Sequence, residues 1–477
     1  MMTKTTQQYI ITVILIVFVF SSCSTKKKSW VNRKYHDVSA KYNGYFNGNE
    51  SLKYGIRKIH KNHLDDYTAI IPVFPVGDLK ESQKTNSHMD KAIKKGSVVI
   101  QRHSIKINDK EYCKWIDDNY LMVGKAYFYK GDFEEAIKTF RFIKSEYKES
   151  EISFQASLWL VRSYTESGDF SSAESELEDL FGARKTPKKI NKELKLVSSE
   201  FYLKTKDFDK ATAGLLEATK IIKNKRKKVR LNYILAQIYQ HQENRSLAQK
   251  HYEVVLKSNP EYEMAFNAKM NLARSLKKGS SGVVKMRETL LKMTKDEKNT
   301  EYLDQIYYTI AEMEMNNLDT FSAIENYKLS TLNSINNNAQ KSLSFLALGK
   351  IKFQKELYKS AYTNYDSSLF YMKENFRLYE ETKKTHFVLS GLVSNISVVE
   401  LEDSLQRIAR LPKSDQNKII QGIIQEEIKK EQQEAEEKRI KQQLVYESGI
   451  NRGREQFGQN TSGGKWYFYN PATLSFG

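Results

Sequence analysis

The chain has 477 residues, of which 40% are hydrophobic and 28% charged, with six prolines and a formal net charge of +19. This length exceeds one ordinary hydrophobic core and indicates several units or repeats, while the scarcity of proline favours helices. The densest basic run, residues 223–230, has no interleaved aromatic residues, which argues against single-stranded nucleic-acid binding. We therefore expect a solvated basic surface, with residues 223–230 at an exposed helix–helix corner, and no nucleic-acid partner.

The amino-terminal segment carries an apolar run from Tyr9 to Phe20, interrupted only by Thr12. The run is too short to cross a bilayer but has the length of a signal-peptide core. It is followed by two serines and Cys23, an arrangement that resembles a bacterial lipobox with Phe20 where leucine is commoner. We predict that residues 1–22 are a lipoprotein signal peptide and that Cys23 carries the lipid anchor. The alternative is an ordinary secretory signal with an incidental cysteine.

Residues 23–30 form a short tether that contains lysines 26–28 and no acidic pair. An acidic pair after the cysteine sends lipoproteins of Bacteroidetes-like bacteria to the cell surface. Without one, we expect an outer-membrane protein that faces the periplasm. The second cysteine, Cys113, stands beside Trp115 and is expected to serve helix packing rather than catalysis.

Residues 31–111 are predicted to form a helical amino-terminal cap region. Residues 35–63 hold two helical runs on either side of Gly44 and an Asn-Gly-Asn sequence at 47–49, which favours a diverged helical hairpin. Residues 70–77 contain two prolines and are expected to be an extended loop. A further helix is expected at residues 89–103. His60 and His63 lack a completing carboxylate or cysteine, so we expect exposed histidines, with no metal or cofactor.

Residues 112–372 contain an internal repeat. A small or apolar residue recurs at positions 136, 173, 211, 248, 284, 323 and 361, a spacing of 36 to 39 residues. In the strongest copy, residues 120–140, Gly131 and Asp132 form a turn and a helix cap, and Ala136 and Phe140 lie four apart on the following helix. The pattern resembles the tetratricopeptide repeat. It predicts an all-α solenoid of helical hairpins. The fifth copy is the weakest, because Val284 replaces the small residue and two glycines weaken its turn.

The remaining chain is predicted to be helical and then flexible. Residues 373–412 continue as a helical extension, and residues 413–448 read as one long charged helix. Such a helix is a solvated spacer or, alternatively, a partner-binding coiled segment. Residues 449–477 are predicted to be a flexible linker and an aromatic tail. The fold class is thus a tetratricopeptide-repeat solenoid followed by a long charged helix and a flexible tail.

Taken together, these segments resemble the SprE/PorW lipoproteins of the Bacteroidetes type IX secretion and gliding-motility machinery. The resemblance rests on the lipobox at Cys23, the repeat array, and residues 35–47, 404–409, 451–458 and 463–471. Members of that family continue into a second helical region, so we expect this chain to be its amino-terminal portion. The resemblance implies a periplasmic outer-membrane lipoprotein that bridges secretion subcomplexes, with other machinery proteins as partners and no catalytic residues.

The sequence contains no phosphate-binding loop, metal-ligand spacing or nucleophile elbow, and we predict a binding protein rather than an enzyme, without a small-molecule substrate. Two other repeat lipoproteins remain as alternatives: an outer-membrane assembly factor and a glycan-capturing protein of the starch-binding type. In tetratricopeptide repeats, the first helix of each pair lines a groove, and the alternative for each groove residue is simple solvation. By resemblance, the groove positions are Lys125, Tyr129, Arg162, Tyr233, Gln237 and Lys350.

Overall fold

The computed structural model describes residues 25, 28–76, 82–148, 150–184 and 186–457, with side chains described as far as residue 442. The chain divides into two compact units, residues 1–344 and 345–477. Within the described ranges, no helix is both long and apolar enough to cross a membrane. The predicted signal peptide with Cys23 and the aromatic tail lie outside the described residues.

The first unit begins with a cap of helices. Helix α1 (Trp30–Ser39), a π-helical segment (Ala40–Tyr45) and α2 (Phe46–Asn62) follow one another without a break and pair with α3 (Asn86–His103). The prediction of a helical hairpin within residues 35–63 is therefore wrong. Its glycines serve close packing instead of a turn, since Gly44 faces Val99 and Gly48 faces Met122 with no room for a Cβ atom. A two-residue antiparallel pair, β1 (Lys106–Ile107) and β2 (Lys110–Glu111), follows.

Six helical hairpins then complete the first unit, and a seventh begins at its end. We call the hairpins repeats 1 to 7 in chain order. Their helices are α4 (Ile116–Lys130), α5 (Phe133–Glu146), α6 (Glu151–Ser167), α7 (Phe170–Gly182), α8 (Lys188–Lys204), α9 (Phe208–Ile221), α10 (Lys225–His241), α11 (Arg245–Lys257), α12 (Tyr262–Ser275), α13 (Ser281–Met293), α14 (Leu303–Asn316), α15 (Thr320–Asn333), α16 (Asn338–Gln354) and α17 (Tyr358–Tyr371). A 3₁₀ segment (Glu297–Tyr302) precedes α14. The all-α repeat fold predicted from the sequence is confirmed.

The turn inside a repeat has a common design. A residue of the turn adopts a left-handed conformation, as at Gly168 with φ 82°, and the residue after it, here Asp169, caps the second helix. The carboxylate of Asp169 accepts the backbone N–H of Ser172 at 3.1 Å, which satisfies one of the free amides of the helix start. The same cap recurs at Asp207, Asn244 and Asp319.

The small residue of each second helix lets the two helices approach closely. The alanines at 136, 173, 211, 248, 323 and 361 are all 0% exposed. The fifth repeat departs from the sequence prediction: Val284 is 63% exposed, and its neighbour Val283 is buried. The packing position of α13 is therefore one residue earlier than the spacing indicated, although α13 begins at Ser281, three residues before Val284.

The second unit contains the end of α16, α17 and two long helices, α18 (Tyr379–Ala409) and α19 (Lys413–Phe457). Its core consists of Leu346, Ala361, Tyr365, Met372 and Leu389. The long helix continues to Phe457, so its backbone extends past residue 448, where a flexible linker was expected.

Candidate peptide-binding groove

The first helices of the repeats share a polar position that faces the groove. In the first unit this position is occupied by Lys125, Arg162, Glu200, Gln237, Arg274 and Glu312, each 37 or 38 residues after the last. Lys125, Arg162 and Gln237 were among the predicted groove residues, whereas Glu200, Arg274 and Glu312 were missed. The missed residues have the same repeat spacing as the predicted ones, so the period itself was the signal that could have found them.

Residues 64–76, between α2 and α3, lie across this series of side chains, and we call them the strap. The strap contains a turn, in which the N–H of Ala69 donates to the carbonyl of Asp66 at 3.2 Å, and has no regular secondary structure elsewhere. The amide of Gln237 binds the strap's main chain at two points. Its Nε2 donates to the carbonyl of Ala69 at 2.6 Å, and its Oε1 accepts the N–H of Ile71 at 3.0 Å. Both bonds recognise the peptide backbone, whatever side chain the strap carries at those positions.

Glu200 continues this main-chain recognition one repeat earlier. Its Oε2 accepts the N–H of Val73 at 2.6 Å, in a buried environment. Burial raises the pKa of Glu200 to about 7, although the bond from Val73 acts in the opposite direction. Ile71 and Val73 are themselves buried, and both belong to the apolar cluster of repeats 3 to 6.

The strap ends against repeat 2. The guanidinium of Arg162 lies 4.3 Å from the ring centre of Phe74 and 4.1 Å from that of Trp159, so the cation is held between two aromatic faces. The strap thus runs from repeat 4 to repeat 2, opposite to the order of the repeats.

An ion pair fixes the other end of the strap. Arg230 on α10 donates to both carboxylate oxygens of Asp65 at 2.6 and 2.7 Å, and its Nε donates to the carbonyl of Pro72 at 2.8 Å. Asp65 also lies 3.1 Å from Nε2 of His63. The hydrogen bonds from His63 and Arg230 outweigh burial and lower the pKa of Asp65 to about 2. Arg230 belongs to the basic run that was expected to be a solvated corner, and for this residue the expectation is wrong.

Two predicted groove residues, Tyr129 and Tyr233, are buried and serve packing. The ring of Tyr129 meets those of Phe128 and Trp159 edge to face. Tyr233 is 0% exposed, its ring meets Tyr67 of the strap edge to face, and its hydroxyl accepts from Nδ2 of Asn271 at 3.1 Å.

At the amino-terminal end of the series, Nζ of Lys125 lies 5.3 Å from the ring centre of Trp159, and burial lowers the pKa of Lys125 to about 8. At the other end, Arg274 and Glu312 bind each other at 2.6 Å. In repeats 5 and 6, the side chains at the polar position thus bind each other. In repeats 2 to 4, the side chains at this position contact the strap.

The remaining predicted residues lie elsewhere. Lys350 belongs to the second unit, where its Nζ is 3.9 Å from a carboxylate oxygen of Glu381. Cys113 is buried, burial raises its pKa to about 12, and a thiol in that state is unreactive. Among the described residues, no three potential metal ligands come together.

The comparisons with known proteins identify the repeat. Residues 117–141 match the tetratricopeptide repeat family. This repeat is characteristic of scaffolds that bind other proteins. No curated protein matches the sequence of the chain.

Several solved structures are similar to the chain. PilF of Pseudomonas aeruginosa is 14% identical, with 56% of this chain and 97% of that chain covered and a TM-score of 0.32. NprR in complex with its cognate peptide NprX is 16% identical, with 62% and 89% covered and a TM-score of 0.34. A signal transduction ATPase with a tetratricopeptide repeat sensor from Pyrococcus horikoshii is 16% identical, with 68% and 54% covered and a TM-score of 0.32. These scores are too low to carry an inference about function.

Proposed function

We propose that this protein is an outer-membrane-anchored periplasmic scaffold that holds together proteins of the type IX secretion and gliding-motility machinery. One observation carries the binding role: the groove of repeats 2 to 4 holds the strap through side chains that bind its main chain. The lipobox at Cys23 and the family resemblance of residues 35–47 and 463–471 support the compartment and the machinery.

The groove has the chemistry of a binding site. Glu200, Gln237 and Arg230 each use their polar atoms to hold backbone groups of the strap. A glycan-capturing lipoprotein would need insertions between repeats to build a sugar site. The connections between α7 and α8 and between α9 and α10, residues 183–187 and 222–224, are too short for such an insertion. Binding of a polypeptide segment is therefore the favoured role.

The anchor is tested by replacing Cys23 with alanine and separating membranes from the soluble periplasmic fraction. We expect Cys23→Ala to move the protein from the membrane to the soluble fraction, since no acyl chain can then be attached. The matched control is Cys113→Ala, which removes the other cysteine and leaves the protein on the membrane. Membrane retention of Cys23→Ala would rule out the lipid anchor.

The partners are tested by crosslinking in cells followed by affinity recovery. We expect type IX secretion components to be recovered with the intact protein and to be reduced by Arg162→Glu, which reverses a charge in the groove. Lys257→Glu is the control, because Lys257 lies on α11 with a side chain that is 79% exposed. Recovery of sugar-uptake porins alone would favour the glycan-capturing alternative, and recovery of outer-membrane assembly proteins alone would favour the other.

A further inference from the structure

The strap contacts the groove in the way that a bound peptide contacts a receptor. It crosses the first helices of repeats 4, 3 and 2 in turn. Its main chain is bound by side chains of the groove at four points: the carbonyls of Ala69 and Pro72 and the amides of Ile71 and Val73. Because these contacts involve only backbone groups of the strap, another peptide segment that follows the same path can make all of them.

Four side chains of the strap add sequence preference to this backbone recognition. The carboxylate of Asp65 meets Arg230, the ring of Phe74 lies over Arg162, and Ile71 and Val73, two residues apart, are both buried. The groove therefore fits a segment with an acidic residue first, two β-branched residues at alternate positions, and an aromatic residue next to the second of these.

The chemistry of the contact also favours exchange over permanent packing. Buried ion pairs add little net stability compared with apolar side chains of similar size, so a fixed brace gains little from them. Charged and amide groups such as Asp65, Arg230 and Gln237 can be hydrated when the strap leaves, which lowers the free-energy cost of opening. Such groups suit a segment that comes off and returns.

We propose that the groove of repeats 2 to 4 binds in trans a segment of a partner protein that carries an acidic residue followed by an aromatic one, and that the strap is the built-in competitor that this segment displaces. The inference rests on the proposed scaffold function and names the ligand and its regulation. The tethered strap acts at an effective concentration on the order of millimolar. A partner segment of similar intrinsic affinity is therefore excluded until its own local concentration reaches that range.

The first test needs no substitution. Hydrogen exchange of the full chain compares the amides of Ile71 and Val73, which are bonded to the groove, with the amide of Ile234 in the core of α10. We expect the strap amides to exchange at least about 100-fold faster under native conditions, because local opening needs less free energy than unfolding of the repeats. Equal protection at all three amides would show that the strap opens only with the fold and would overturn the proposal.

The second test measures binding in trans with a fluorescent synthetic peptide of residues 64–76. We expect Asp65→Asn in the full chain to weaken the strap's hold and to tighten binding of the peptide about fivefold, since the competitor is released more often. Asp66→Asn is the matched control: its side chain is exposed, and the substitution keeps the oxygen that accepts from Thr68. The control should bind the peptide as the unchanged chain does.

The outcomes separate this inference from the proposed function. If Asp65→Asn and the unchanged chain bind the peptide equally, or if neither binds it, the competitor role is refuted, and partners recovered from cells would still support the scaffold. If the peptide binds as expected while no secretion component is recovered, the exchange stands and the proposed function fails. A peptide that itself carries Asp65→Asn should bind about fivefold more weakly, because it leaves Arg230 unpaired.

Discussion

Replacing Glu200 with glutamine separates the hydrogen bond that Glu200 makes from the charge that it carries. The glutamine side chain keeps an oxygen that can accept the N–H of Val73, which Glu200 binds at 2.6 Å. It has no carboxyl group to ionise. The variant therefore measures what it costs the fold to bury a carboxylate at the centre of the groove.

The magnitude follows from the pKa of Glu200. Burial raises it from 4.5 to about 7. One pKa unit corresponds to about 1.4 kcal/mol, so the ionised carboxylate lowers the free energy of unfolding by about 3 kcal/mol. Below pH 4.5, the carboxyl group is protonated in both folded and unfolded chains, and the penalty is absent. As the pH rises from 4.5 to 7, the unfolded chain loses the proton first, so stability falls and then stays lower above pH 7.

Urea unfolding followed by tryptophan fluorescence, at a series of pH values from 4.5 to 8, provides the measurement. We expect the difference in unfolding free energy between Glu200→Gln and the unchanged chain to shift by about 3 kcal/mol in favour of the variant over this range. Effects of other titrating groups are common to both proteins and cancel in the difference. Glu193→Gln, which removes an exposed charge from the same helix, is the control. A difference that does not change with pH would refute the argument, since it would place Glu200 in contact with solvent.

Three further substitutions test the turn, the helix packing and the ion pair, all by the same unfolding assay. Gly168→Ala is expected to cost about 1 kcal/mol, all of it conformational, because φ is 82° and no atom lies within 4 Å of the added Cβ. Gly124→Ala should cost about 1–3 kcal/mol, since its Cβ would lie 2.5 Å from the ring of Phe140, and Phe140→Leu should recover part of that loss; additive costs would contradict this. The lowered pKa of Asp65 corresponds to a contribution to the free energy of unfolding of about 2.5 kcal/mol before solvent screening and roughly 1 kcal/mol after it. Asp65→Asn should remove this contribution at neutral pH, and the unchanged chain should lose it between about pH 4 and 2; equal acid sensitivity of both proteins would contradict the pairing with Arg230.

The repeat fold was predictable because its requirements are local. A small residue at the helix contact, as at Ala136, and a turn followed by a capping aspartate, as at Asp169, recur wherever the backbone repeats. The fifth repeat, which lacks the small residue, is the exception: the spacing indicated Val284, whereas the buried residue is Val283.

The content of the groove was only partly predictable. The repeat spacing identifies positions such as Arg162 and Gln237, but it cannot show what they contact. The strap reaches the groove through bonds between residues about 160 positions apart, such as Asp65 with Arg230, and no periodicity records contacts of that kind. The role of Arg230 could not be predicted for the same reason. Nothing in the sequence of a basic run shows which of its residues pairs with a carboxylate from a distant segment.

If a partner segment displaces the strap as proposed, the main effect of the strap is on which partners can bind. Its effect on how tightly they bind is smaller. Displacement replaces one segment by another that makes the same backbone contacts, so the net change in free energy is the difference between two similar interactions. The balance is then set by concentration, and the strap's own effective concentration is on the order of millimolar. A freely diffusing peptide rarely reaches that value. A protein held at a second contact on this chain does reach it, so the groove would respond to assembled partners and stay closed to isolated ones.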